Sequence, residues 1–100
     1  MTSPIRLDYA AQALRDLRFI LQYTEDTWGS DQEEDYRRIL QDAFERIQAF
    51  PDIGHAVEGN SSTLREYHLR HHIIQYRREA DQVIILRIVN PRRRGSSDSR

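Results

Sequence analysis

The 100-residue chain has no cysteine and no lysine, and only one methionine, one tryptophan, three prolines and four glycines. Without cysteine there is no disulfide framework, no thiolate nucleophile and no thiolate metal ligand, which suits a reducing compartment. No stretch approaches the roughly 18 apolar residues of a membrane span, and the N-terminus lacks a basic-then-apolar leader, so a cytoplasmic chain without membrane association is expected. Glycine-rich phosphate loops, nucleophile elbows and zinc-ligand motifs are all missing, and with them the usual catalytic signatures. Apolar residues are scarce at 38%. One small domain with a thin core is therefore expected, and a chain this short buries only roughly 60 to 65% of its unfolded surface, which favours dependence on a partner.

Charge is plentiful and unevenly placed. Residues 1–60 carry 6 Arg against 12 acids, and residues 61–100 carry 9 Arg against 4 acids. The first part is net acidic and the second net basic, a distribution that points to an anionic partner at the C-terminal part. All 15 basic residues are Arg, whose planar fork binds carboxylate and phosphate bidentately; GC-rich coding accounts for the same usage. The acidic run Asp31, Glu33, Glu34 and Asp35 sits at the start of an expected helix, where the dipole favours negative charge.

Periodicity divides the chain in two. From Asp8 to Trp28, Ala10, Leu14, Leu17, Leu21 and Trp28 recur near helical spacing, joined by Ala13 and Ile20, with Asp8 as the expected N-cap. Gly29 suits a left-handed helix end, and Ser30-Asp31-Gln32-Glu33 matches a capping box for a second helix. That helix carries Tyr36, Ile39, Leu40, Ala43, Ile47 and Phe50 on one stripe, is flanked by Glu33/Arg37, Glu34/Arg38 and Asp42/Arg46 pairs, and ends at Pro51. So short a junction predicts an antiparallel helix hairpin. After the loop 51–63 the period becomes that of strands: Leu64–Leu69, His71–Arg77 and Gln82–Asn90, the last two joined by a hairpin over 78–81. Ile5, Arg6 and Leu7 supply a short N-terminal strand. The predicted fold class is α+β: a short N-terminal strand, an antiparallel helix hairpin and a three-stranded antiparallel sheet packed on it. Residues 1–90 form the single domain, and the tail 91–100, PRRRGSSDSR, has no apolar residue and is expected to be mobile.

The strand VIILRIV is apolar on both faces, with Ile84, Leu86 and Ile88 on one and Val83, Ile85, Arg87 and Val89 on the other. Two helices cover one face of a small sheet. The face holding Val83, Ile85 and Arg87 is accordingly expected to stay open and to receive a partner, unless the loop 51–63 folds over part of it.

The run YTEDTWGSDQEEDYRRILQDAFERIQAFPDIGH, followed by LREYHLRHHIIQYR and VIILRIVNPRR, resembles the RelE/ParE superfamily of bacterial type II toxins, and its ParE branch in particular. Its most specific parts are the Trp28-Gly29 junction, Phe50-Pro51 with Ile53-Gly54 behind it, and His72-Ile73-Ile74-x-Tyr76-Arg77. Asn90 stands where many ParE-like chains have His. The resemblance implies a cytoplasmic toxin of the plasmid-stabilisation kind, held inactive in a hetero-oligomer by a ParD-like antitoxin. In that setting Val83, Ile85 and Arg87 would contact the antitoxin. The implied target is DNA gyrase, with Arg92, Arg93 and Arg94 as the target-facing charges; the RelE-like alternative is a ribosome-dependent messenger RNA endoribonuclease.

Cutting RNA needs groups to deprotonate the 2′-hydroxyl, stabilise the developing charge and protonate the leaving oxygen. Arg65, Arg70 and Arg87 are candidates for the charge, and Tyr76 or His72 for the proton, but no Tyr or His follows Asn90. The expectation is therefore no catalytic site, with Arg65, Arg70, Tyr76 and Arg87 as the set a ribonuclease would use. His68, His71 and His72 do not suggest a metal centre, because neighbours on a strand point to opposite faces and no carboxylate stands in a recognised ligand spacing with them. His55 reads as a loop residue. Neither metal nor cofactor is expected.

Overall fold

Strand β1 (Arg6–Tyr9) leads directly into helix α1 (Ala11–Trp28), and helix α2 (Ser30–Ala49) follows after a single residue. The computed structural model describes residues 5–57, 59 and 63–91. Gly29 makes the junction possible: its φ of +98° lies where only glycine is comfortable, and its N–H bonds the carbonyl of Glu25 at 2.9 Å. The capping box does not form. Gly29 itself is the N-cap and no side chain caps either helix; Glu33 pairs with Arg37 instead. Asp8 is likewise not a cap but a strand residue, accepting a 2.6 Å hydrogen bond from Gln82, while Ala10 holds the N-cap position of α1.

The remaining strands are β2 (His55–Ala56), β3 (Leu64–His68), β4 (Ile73–Arg78) and β5 (Gln82–Val89). They assemble with β1 into a sheet of order β1-β5-β4-β3-β2. The three-stranded antiparallel sheet expected from the sequence is its centre. Two edges extend it: β1 pairs in parallel with β5, Leu7 opposite Val83, and β2 pairs antiparallel with β3, His55 opposite Glu66. A sequence pattern of two residues is too short to announce β2.

The core lies between the helices and one sheet face. Ala13, Ile20 and Leu21 of α1 and Tyr36, Leu40, Ala43, Phe44 and Ile47 of α2 are buried with Ile74, Tyr76, Val83, Ile85 and Ile88 of the sheet. Tyr9 meets Phe44 edge-on at 5.3 Å. Val83 and Ile85 are completely buried, so the expectation that they form the open face is reversed. Two faces of comparable apolarity give no sequence signal for which one the helices take. A bulge then changes the alternation: Gln75 faces Arg87 whereas Tyr76 faces Ile85, leaving Leu86 as the extra residue. Ile88 consequently joins Val83 and Ile85 in the core, and Arg87 is partly exposed.

Several residues counted in the helical stripes are outside the core. Leu14, Trp28 and Phe50 are exposed, as are Phe19 and Tyr23, which the stripe omitted.

Candidate functional site

Between the two helices and the C-terminal end of β5 lies a groove of about 890 Å³. Phe19, Tyr23 and Trp28 of α1 form one wall, and Tyr36 and Ile39 of α2 contribute beside them. Phe19 and Tyr23, four residues apart, stack with ring centroids at 6.4 Å and an interplanar angle of 19°. These aromatics are on the surface because α1 turns its other stripe, Ala13, Ile20 and Leu21, to the sheet.

Arg87 is placed in the groove by Asp16. The Asp16 carboxylate, largely covered, accepts bonds from Arg87 Nε at 2.8 Å, the Ile88 N–H at 2.9 Å and Gln12 Nε2 at 2.9 Å. The register of β1 ends with Tyr9 opposite Ile85, so farther along β5 the Asp16 side chain supplies an acceptor in place of a neighbouring strand. Burial works to raise the Asp16 pKa, but the bonds from Arg87, Ile88 and Gln12 outweigh it and hold the carboxyl below its usual value.

At the other end of the groove His72 is joined to Tyr36 by a 2.6 Å bond between the phenol oxygen and Nδ1. Burial, reinforced by His71, pushes His72 down to about 4, and burial pushes Tyr36 up to about 12 despite the nearby Arg70 charge. Both groups are therefore neutral near pH 7, and the phenol donates to an unprotonated nitrogen. The unfolded chain takes up the His72 proton near pH 6.5, whereas the folded chain resists until about pH 4. This contribution to stability is complete above pH 6.5 and falls away as the pH drops through that window. Discounted for the partial exposure of His72, the loss is about 1–2 kcal/mol. Urea unfolding at pH 7.5 and 4.5 should show that drop, and His72→Gln should flatten it; equal pH slopes for variant and parent would contradict the assignment.

The residues a ribonuclease would use are not gathered. Tyr76 is fully buried, its hydroxyl donating to the Pro51 carbonyl at 2.7 Å and accepting from the Gly54 N–H at 2.9 Å. Arg65 donates to the carbonyls of Gly54 at 2.7 Å and Asp52 at 3.2 Å. Both anchor the loop after α2. Arg87 is held by Asp16 in the groove, where Arg70 also lies. The nearest signal for these structural roles was Gly54 itself, whose position beside Tyr76 leaves no space for a side chain. Arg92, Arg93 and Arg94, and the rest of the tail after Pro91 that is expected to be mobile, lie outside the described residues. His71 and His72 line the groove, whereas His68 sits beside His55, with ring centroids 4.9 Å apart. His55 thus belongs to strand β2 and not to a loop.

This arrangement of helix hairpin and sheet has known counterparts. A chain from the chromosomal ParDE toxin-antitoxin system of P. aeruginosa superposes with a TM-score of 0.72 at 17% identity, covering 86% of this chain and 95% of the other. A chain of the RelBE2 toxin-antitoxin complex of Mycobacterium tuberculosis gives 0.66 at 16% identity, covering 88% and 99%. Those likenesses establish the fold. Sequence relatives go further: Toxin ParE1 of Mycobacterium tuberculosis is 37% identical over 93 residues, 92% of this chain and 93% of the relative, and Toxin ParE1 of Caulobacter vibrioides is 36% identical over 74 residues, 74% and 75% of each. Residues 7–95, nearly the whole of the fold just described, match the family described as the ParE toxin of the type II toxin-antitoxin system parDE, and the chain belongs to that family of toxins.

Proposed function

We propose that this toxin is silenced by a ParD-like antitoxin whose amphipathic segment lies in the groove, and that, once released in the cytoplasm, it acts by binding DNA gyrase and not by cutting RNA. The antitoxin half rests on the aromatic wall. Phe19, Tyr23 and Trp28 are 59%, 58% and 68% exposed, and aromatic side chains so placed are the usual anchors of a protein interface. Arg87, which lines the groove, keeps the partner role read from the sequence, whereas Val83 and Ile85 are buried in the core and give it up.

The target half is carried by one observation: Arg65 and Tyr76, half of the set a ribonuclease would use, are consumed in holding the loop after α2. A nuclease needs its acid, base and charge-stabilising groups at one phosphate. Binding gyrase needs only a surface. Purified toxin should therefore promote DNA cleavage in a gyrase assay and leave messages intact on translating ribosomes. Message cleavage without any effect on gyrase would reverse the assignment. Arg92, Arg93 and Arg94 are assigned to the target by their charge, so replacing all three with Ala should weaken gyrase poisoning, most visibly at low salt where their charge is least screened, and leave the antitoxin Kd nearly unchanged.

A further inference from the structure

Away from the groove, at the β2 edge of the sheet, three further side chains converge. His55 of β2 lies opposite Glu66 of β3, and His68 stands two residues beyond Glu66 on the same strand. Period-two alternation puts Glu66 and His68 on one face, opposite that of Tyr67, which packs against the core. One ligand atom from each of the three lies within 4.8 Å of the others, with His68 Nε2 and Glu66 Oε1 at 3.8 Å. Among the described residues this is the one His and carboxylate group so disposed.

We propose that His55, Glu66 and His68 form a zinc site. Two imidazoles and one carboxylate are an established zinc donor set, and three protein ligands leave one position for water or for a group from a partner. Bonds of about 2.0–2.1 Å in a tetrahedron hold donors about 3.3 Å apart. Closing from the observed spacing asks only for rotation of the two imidazoles, which are exposed. Glu66 is already oriented: Gln75 of β4 donates to its Oε2 at 2.9 Å, while its Oε1 is the oxygen near His68. Such outer bonds fix a ligating carboxylate in place. The sequence concealed the site because its ligands come from two strands and the first of them is only two residues long.

An ion held there would tie β2 to β3, strengthening an edge otherwise held by a short ladder and the Val57 N–H bond to the Leu64 carbonyl. The full tag-free chain should bind one zinc ion, measured by competition with a chromophoric chelator, and Co²⁺ should give the visible absorption of a tetrahedral ion. At ten times Kd, zinc should raise the thermal midpoint by roughly 5–10 °C. His55→Ala, His68→Ala and Glu66→Gln should each weaken binding at least about tenfold, and His71→Ala should leave it unchanged. Circular dichroism of each variant checks that the fold is retained. Binding by either His55→Ala or His68→Ala that equals the parent's, or no zinc bound at micromolar concentrations, would overturn the site.

Discussion

Gly54→Ala is expected to destabilise the toxin more than any other single methyl group added to it, by about 3–5 kcal/mol. A Cβ at this position would stand 2.7 Å from the Glu66 carbonyl oxygen, 2.9 Å from its carbon and 2.8 Å from the Tyr76 hydroxyl. Two of those atoms are backbone of β3, which is paired on one side with β2 and on the other with β4, so the sheet can yield only by breaking ladders. Tyr76→Phe tests the same junction from below. It leaves the buried Gly54 N–H without its acceptor and the Pro51 carbonyl without its donor, at a cost of about 2–3 kcal/mol. Urea unfolding of the two variants measures both losses. A Gly54→Ala protein within about 0.5 kcal/mol of the parent would show that the loop is not clamped in this way.

That junction also shows what was legible in the sequence. Helical spacing in 11–28 and 30–49, the break at Gly29 and the strand pattern of 64–89 rest on local chemistry, and the helix pair and central strands follow from them. The Phe50-Pro51 and Ile53-Gly54 segment was recognisable as distinctive, but its purpose was not, since it depends on Tyr76 and Arg65 arriving from distant strands. The orientation of β5 was misread for a similar reason. An apolar strand with two equivalent faces contains no information on which one a helix will cover, and the bulge at Leu86 shows only in the register with β4. The groove was missed because Phe19 and Tyr23 fall off the helical stripe, and apolar residues off the stripe carry meaning only when the surface around them is known. The salient fact about Trp28 was its exposure, not its periodicity.

Truncating the aromatic wall should separate antitoxin binding from folding. Phe19, Tyr23 and Trp28 are mostly exposed in the isolated chain, so replacing them with Ala removes few internal contacts and should leave the unfolding free energy within about 0.5 kcal/mol of the parent. In the complex the same side chains would lose their exposure. Burying one large apolar side chain is worth about 1.5–3 kcal/mol, and central aromatic anchors of an interface commonly cost 2 kcal/mol or more when truncated. Tyr23→Ala and Trp28→Ala should therefore each weaken the cognate antitoxin by about 30-fold or more, and the pair together by a larger factor. Phe50→Ala supplies the comparison, because Phe50 is 64% exposed yet lies at the end of α2 and does not line the groove. Its antitoxin affinity should equal the parent's. Calorimetric titration of the antitoxin into each variant decides the matter: unchanged affinity for Tyr23→Ala and Trp28→Ala would place the antitoxin elsewhere, on the sheet face that the helices leave open, where Ile84 and Leu86 are only half-buried.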